Sequence, residues 1–303
     1  MPFCYRLYHF NVSSDIEFPD LSQKEFTSPD IVIKAGKVRP LPEEETADIT
    51  EASIILQLPE FRFEILGGNE IVYQITSTVS PEYLRPYILA SGLGGILHQQ
   101  GYLVLHGSAI NYGGKAVIFC GNSGVGKSNT AGGFLKKGFP LISDDMCPIV
   151  WKEGKPVLLN SFMSLKLWPS DIERINLNNE KTHNWNDPEE KARVIANYDR
   201  NESHFEILKI YMLESHEGRD IIMEPLSGIQ KLRFLVQNTF RYPFVDGTLK
   251  AREDLENYAR LAESTLLTKA SRPKSLETRK ELNLRLIEDL RSHSKNSALT
   301  KSN

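Results

Sequence analysis

A run of eight residues, 121–128, carries the clearest chemical signal in the sequence. It reads Gly-Asn-Ser-Gly-Val-Gly-Lys-Ser and matches the phosphate-binding pattern GxxxxGK[ST]. Glycines in such a loop let backbone N–H groups approach phosphate oxygens, and a following helix adds the unpaired N–H groups of its first turn. We expect Lys127 to reach the β and γ phosphates of a nucleotide and Ser128 to ligate Mg²⁺. The run predicts nucleotide binding but does not by itself identify a reaction.

Two adjacent carboxylates follow the loop at a short distance. Asp144 and Asp145 come directly after the apolar run 139–142, which predicts a short strand. Phosphoryl transfer needs a phosphate cradle, a metal ion and a group that takes the acceptor proton. Ser128 with one of the two aspartates could form the metal shell, and the other could take the proton. A solvated turn or a helix cap is the alternative role for this pair.

Three other side chains are candidates on weaker grounds. His106 follows the apolar run 102–105, so we expect it at a strand end close to the loop, although a lone histidine is often structural. Lys191 and Arg193 lie in a polar stretch and could reach a γ-phosphate, with a solvated charged segment as the alternative.

The elements around these residues can be predicted from local patterns. The apolar run 115–120 predicts a strand before the loop, and 129–137 predicts a helix after it. Further patterns predict strands at 156–160, 164–168 and 205–213, and helices at 227–240, 252–263 and 276–290. A strand, a glycine loop and a helix in this order are the expected context of a phosphate site.

The N-terminal part of the sequence has a different pattern. Alternating apolar residues at 61–65 and 71–75 flank Gly67 and Gly68, which predicts a hairpin. Ser80 and Pro81 then form a helix-start signature. We predict a small β-rich domain at 1–80 and an α/β domain with C-terminal helices at 81–303.

Composition limits the classes of function. The 303 residues are 40% hydrophobic and carry a net charge of −3, so we expect no nucleic acid as a partner. Three cysteines without metal-ligand spacing are typical of a reducing compartment. We find no signal peptide or apolar membrane span, and we expect a cytoplasmic protein that does not bind membranes. A homo-oligomer is left open.

Three segments together resemble a known family. They are His106-Gly107, the loop 121–128 and Leu-Ile-Ser-Asp-Asp at 141–145, and they resemble the catalytic core of the HPr kinase/phosphorylase family in composition and separation. The resemblance implies a P-loop serine kinase domain related in fold to phosphoenolpyruvate carboxykinase. The segments 5–8, 15–21 and 101–108 look more like the HPr-kinase-like proteins of peptide-modification clusters, some of which phosphorylate the C-terminal serine of lasso-peptide precursors.

Site residues follow from this resemblance, position by position. It implies Lys127, His106, Asp144 and Asp145 as catalytic residues, with Asp145 accepting the proton of the substrate serine and Asp144 supporting it. Ser128 and Asp144 are the expected Mg²⁺ ligands. The nucleotide-binding residues are expected to be Gly121, Asn122, Ser123, Gly124, Val125, Gly126, Lys127, Ser128 and Asn129.

The sequence also departs from the family pattern. Asn129 stands where the bacterial regulatory enzymes usually carry glutamate, and their second signature segment is missing from 160–171. These departures favour the peptide-tailoring branch, in which Lys166, Lys191 or Arg193 could replace the missing contacts. We therefore expect an ATP- and Mg²⁺-dependent kinase acting on a serine of a peptide or small protein. An ATPase or regulatory nucleotide-binding protein and a small-molecule kinase are the alternatives.

Overall fold

The structure is a computed structural model of a single chain. It describes the residues 2–160, 164–177, 181–183, 192–195, 203–246, 250–275 and 278–299. Within them lie two large sheets, a small third sheet and several helices, which is the mixed α/β fold class that the sequence predicts.

The first sheet is built from the N-terminal part of the chain. Its seven strands lie in the order β1-β2-β3-β7-β6-β5-β4. Their bounds are Phe3–Leu7 (β1), Phe10–Ser14 (β2), Ile31–Ala35 (β3), Ala47–Ile49 (β4), Ser53–Gln57 (β5), Phe61–Leu66 (β6) and Glu70–Ile75 (β7). The predicted hairpin is confirmed as β6 and β7, which pair antiparallel. Gly67 and Gly68 form its turn with φ of 55° and 72°, a conformation that glycine adopts without steric cost.

A helical segment links the first sheet to the second. It consists of a 3₁₀ turn at Pro81–Leu84, helix α1 at Arg85–Tyr87, a π-helical turn at Ile88–Gly92 and helix α2 at Leu93–Gln99. A Cβ atom on Gly95 would lie 2.3 Å from Ile65 Cδ1, so the absent side chain lets α2 lie directly on the first sheet. This helical segment and the first sheet share one hydrophobic core. The domain boundary near residue 80 therefore stays a prediction.

The second sheet carries the phosphate loop. The remaining strands are β8 Leu103–Tyr112, β9 Lys115–Cys120, β10 Leu141–Ser143, β11 Met146–Lys152, β12 Lys155–Leu159, β13 Ser164–Leu167, β14 Lys181–His183, β15 Ala192–Ile195, β16 His204–His216, β17 Ile222–Pro225 and β18 Leu266–Pro273. The path β10-β8-β11-β12-β16-β18-β17 forms this sheet, β9 pairs with β8 and β16, and β13-β15-β14 is a separate sheet. The strands β9, β16 and β18 run parallel.

Helices cover both faces of the second sheet. They are α3 Lys127–Leu135, α4 Pro169–Ile175, α5 Gly228–Gln237, α6 Lys250–Ser264 and α7 Thr278–Leu299, with a 3₁₀ turn at Tyr242–Phe244. Alternate residues of β9 point to opposite faces, as the pleat requires. Phe119 packs with Phe134 and the α7 side chains on one face, and Ile118 packs with Phe234 and the α6 side chains on the other. This double covering fixes the start of the loop that follows β9.

The helices in the described ranges do not include one that is both long and apolar enough to cross a bilayer.

The sequence patterns did not predict β18, whose residues include Thr268, Lys269, Ser271 and Arg272. Arg272 in this strand is buried and donates hydrogen bonds to carbonyl groups, so the strand is less apolar than a typical buried strand.

Candidate active site

The phosphate loop joins β9 to α3 at the carboxyl end of the parallel strands. Gly121, Gly124 and Gly126 have φ of 140°, 81° and 106°, so each adopts a conformation that side chains disfavour. A Cβ atom on Gly121 would lie 2.4 Å from Leu213 O, which makes glycine necessary there for packing as well. At Gly124 the same atom would meet nothing within 4 Å, so the loop has an open side. The local sequence thus shapes a concave turn with room for a ligand.

Lys127 begins α3 beneath this loop. Its side chain is 8% exposed, and its Nζ donates to Gly121 O at 2.9 Å and to Asn122 O at 3.4 Å. The residue before it, Gly126, provides no side-chain cap to the helix. The loop therefore gathers a buried ammonium group and an uncapped helix start, and both of these attract anions.

Asp144 lies beside the end of the loop and joins three elements. Its Oδ1 accepts hydrogen bonds from Ser108 Oγ at 2.5 Å and from Ser128 Oγ at 2.9 Å. Its Oδ2 accepts from the backbone N–H of Lys166 at 2.9 Å. The alternative of a solvated turn does not describe this carboxylate, which connects β8, α3 and β13.

Asp145 has a different environment from its neighbour. Its φ of 69° lies in the left-handed region, which aspartate tolerates better than most residues. Its Oδ2 forms an ion pair with Lys166 Nζ at 2.5 Å, and both side chains are about one-third exposed, at 33% and 28%. Asp145 is therefore a partly exposed carboxylate beside a cation from a separate sheet.

His106 does not lie at a strand end, so that prediction is wrong. It lies within β8, which continues to Tyr112 because its first half pairs with β11 and its second half with β9. Its backbone N–H donates to Asn238 O at 2.7 Å, and Gly107 next to it pairs with Cys120, the residue before the loop. The expected closeness of His106 to the loop holds, because β8 and β9 are neighbours.

The local charges affect the protonation of two of these groups. Burial lowers the pKa of His106 to about 4, with further lowering by the positive charge of Lys127 and opposition from Asp145. The imidazole is therefore neutral near pH 7 and can accept a hydrogen bond. Burial, followed by the negative charge of Asp145, raises the pKa of Asp144, whereas hydrogen bonds from Ser108, Lys166 N–H and Ser128 lower it.

Asn129 uses its side chain for structure. Its Nδ2 donates to Asp171 Oδ2 at 2.7 Å, and its Oδ1 accepts from an Nη atom of Arg174 at 2.7 Å. Asp171 also accepts from Arg174 and from Arg279, the latter at 3.3 Å. This network ties the first turn of α3 to α4 and α7.

Several site residues were not predicted from sequence. Ser108 stands two residues after His106, and the same-face spacing of a strand could have indicated it. Arg272 donates to Val125 O at 3.3 Å and so supports the loop from β18, but no local pattern links these two positions. The predicted nucleotide-binding residues Asn122 and Ser123 are exposed at the loop tip, and Asn122 O accepts from Lys127 Nζ at 3.4 Å.

Two of the predicted phosphate-binding cations have side chains outside the described part of the chain. Lys191 lies outside the described residues, as does the side chain of Arg193. The backbone of Arg193 pairs with Lys166 in register between β15 and β13.

The donor set fits a nucleotide with Mg²⁺. Ser128 Oγ and Asp144 Oδ1, a hydroxyl oxygen and an oxygen of a partly buried carboxylate, lie 2.9 Å apart beside the loop, and both are ligands of the kind that Mg²⁺ takes. No group of three or more His, Cys, Asp or Glu residues is placed to hold a metal in the described ranges. Mg²⁺ is commonly held by one or two protein oxygens together with phosphate and water, so a small donor set suits it.

Sequence comparisons find partial likeness to one kind of protein. No family model matches the chain. It is 43% identical over 54 residues to the HPr kinase/phosphorylase of Lactobacillus johnsonii, covering 18% of this chain and 17% of the relative. It is 31% identical over 119 residues to that of Lactobacillus acidophilus, covering 39% of this chain and 30% of the relative. The matches thus span less than a third of these curated relatives.

A comparison of structures finds the HPr(Ser) kinase/phosphatase from Coxiella burnetii. The TM-score is 0.36 at 10% sequence identity, over 66% of this chain and 94% of that one. Over the matched residues, part of this chain is similar to HPr kinase/phosphorylase.

Proposed function

We propose that this protein is an ATP-dependent kinase that transfers a phosphoryl group to the hydroxyl of a serine in a peptide or small protein. The observation that carries the proposal is the placement of Asp145. A half-buried carboxylate stands next to the Ser128–Asp144 pair and beside the phosphate loop, which is where an acceptor proton must be taken.

The chain's own residues divide the work. The loop and Lys127 hold the donor phosphates, and Ser128 with Asp144 would hold Mg²⁺, which would neutralise phosphate charge when bound. Asp145 takes the proton from the serine hydroxyl while the serine oxygen forms the new bond to the γ-phosphorus. The bond between that phosphorus and the ADP oxygen breaks, and ADP leaves.

Lys166 has a clear part in this scheme. In the structure its ammonium group neutralises Asp145, and its backbone N–H holds Asp144. The same ammonium adds a small contribution to the lowered pKa of His106, after burial and the charge of Lys127. We infer that the Lys166 ammonium group interacts with both Asp145 and the phosphate that is transferred. In that role Lys166 would replace a contact that the family's second signature segment supplies.

The finer substrate is a separate proposal. The departures at Asn129 and 160–171 favour the C-terminal serine of a lasso-peptide precursor over the protein HPr. The reaction would take place in the cytoplasm, where ATP is available and where the three free cysteines remain reduced.

The test is an assay with γ-labelled ATP, Mg²⁺ and a panel of serine peptides that includes precursor peptides ending in serine. We expect label on the serine of at least one peptide. Release of label as inorganic phosphate with no labelled acceptor would favour the ATPase alternative. Label on free serine or another metabolite would favour the small-molecule kinase.

A further inference from the structure

An open groove runs along one side of the second sheet, beside the candidate active site. It has a volume of about 680 Å³ and lies between α5 and the strands β16, β17 and β18. Its lining includes Met212, Glu214, Glu224, Gln230, Arg233 and Gln237. Met212 and Glu214 lie in the second half of β16, which runs parallel to β9 and β18, so the groove lies on the face of the sheet.

One end of the groove adjoins the phosphate loop. Met212 of the groove pairs in register with Cys120, the residue before Gly121. The next residue, Leu213, places its carbonyl oxygen 2.4 Å from the position of a Cβ on Gly121. The loop therefore starts directly against the strand that forms the floor of the groove.

The same end adjoins His106. Gln237 lines the groove and closes α5, and the next residue, Asn238, accepts the backbone N–H of His106 at 2.7 Å. Thr239 then forms a bridge with Leu105 of β8. The residues after α5 thus lie beside the part of β8 that precedes Gly107, where β9 has ended and the phosphate loop has begun.

The chemistry of the groove suits a polypeptide. The side chains of Glu224, Gln230, Arg233 and Gln237 are exposed, and in the described ranges none of them forms a hydrogen bond or ion pair. Amide side chains both donate and accept, which matches a peptide backbone, and the charged groups of Glu224 and Arg233 can select side chains. The other two charged residues of the lining, Glu214 and Lys269, form an ion pair with each other at 3.2 Å. Met212 and Phe234 add apolar surface beneath them.

We propose that this groove holds the acceptor polypeptide in an extended conformation, with its serine at the inner end beside His106 and the phosphate loop. The inference rests on the proposed kinase function and specifies where the acceptor binds. Arg233 is then a specificity residue that faces an acidic side chain of the acceptor, and Glu224 faces a basic one.

The test uses the full-length protein, labelled ATP and a peptide library with one fixed serine and all other positions randomised. We expect the wild type to prefer an acidic residue at one position, and Arg233→Glu to change that preference to a basic residue. Transfer to the best wild-type peptide should fall at least tenfold, while ADP affinity stays within twofold. Glu224→Lys should change a preference for a basic residue to an acidic one at a different position.

Arg252→Glu on α6 is the matched control, because that arginine side chain is 89% exposed and lies outside the groove lining. It should leave the peptide profile unchanged. An unchanged profile in Arg233→Glu and Glu224→Lys, with ADP binding intact, would overturn the groove assignment alone, as would equal losses of ADP affinity and transfer. If the wild type labels no peptide at all, the kinase proposal fails and the groove assignment fails with it.

Discussion

The two adjacent aspartates differ because their partners come from different parts of the chain. Asp144 is held by two hydroxyl groups and a backbone N–H, whereas Asp145 pairs with an ammonium group. A carboxylate fixed by three hydrogen bonds suits a metal site, and a carboxylate paired with a lysine side chain suits proton transfer. The residue pattern without the family resemblance leaves the two roles interchangeable, since the partner Lys166 lies 21 residues beyond Asp145.

His106 gives a prediction about stability and pH. Its folded-state pKa of about 4 lies below the ordinary value of 6.5, so the unfolded chain binds this proton first as the pH falls. Stability from this group is therefore complete above about pH 6.5 and is lost as the pH falls toward about 4.

We expect wild type to lose roughly 2 kcal/mol more unfolding free energy than His106→Gln between pH 7 and pH 5. Urea unfolding at both pH values measures the difference, and comparing the two proteins cancels the contributions of other titrating groups. Equal losses would mean that the imidazole is not held neutral by its surroundings.

At the scale of elements, the site depends on how helices hold the start of α3. Asp171 is 8% exposed and is shared by Asn129, Arg174 and Arg279. Burial and the neighbouring Arg174 lower the pKa of Arg279, while Asp171 raises it. The Asp171 carboxylate therefore neutralises part of the positive charge of Arg174 and Arg279. Without it, the two guanidinium groups would repel each other.

Asp171→Asn should lower the unfolding free energy by about 2 kcal/mol, because it removes the charge from a largely buried ion-pair network. Glu173→Gln on the same helix is the control, since Glu173 is exposed. Thermal unfolding of both variants measures the effect. A melting temperature for Asp171→Asn equal to that of the control would contradict the proposed importance of this network.

Local patterns predicted those elements that have local causes. The hairpin β6–β7 has glycines in its turn, and the strand before the loop and the helix after it follow from apolar runs. The strand β18 was missed because Arg272 and its polar neighbours are buried through contacts with distant residues. The position of His106 was misjudged because the length of β8 depends on two partner strands.

At the scale of the whole molecule, the sequence predicted which residues form the site better than it predicted how they are arranged. The loop, His106 and the aspartates come together because β8, β9 and β10 are neighbours in one sheet. The ion pair of Lys166 and the support from Arg272 join segments with no shared pattern in sequence. The groove beside α5 exists only through tertiary packing and therefore has no sequence signature.

The central claim is that Asp145 takes the acceptor proton in a phosphoryl transfer. The most direct measurement compares Asp145→Asn with the wild type in labelled transfer to a serine peptide, alongside ADP binding by calorimetry. Asp220→Asn is the control, since Asp220 is exposed in a loop. We predict that Asp145→Asn loses at least a hundredfold in transfer rate and keeps ADP affinity within about threefold. Transfer at the wild-type rate by Asp145→Asn would contradict the account.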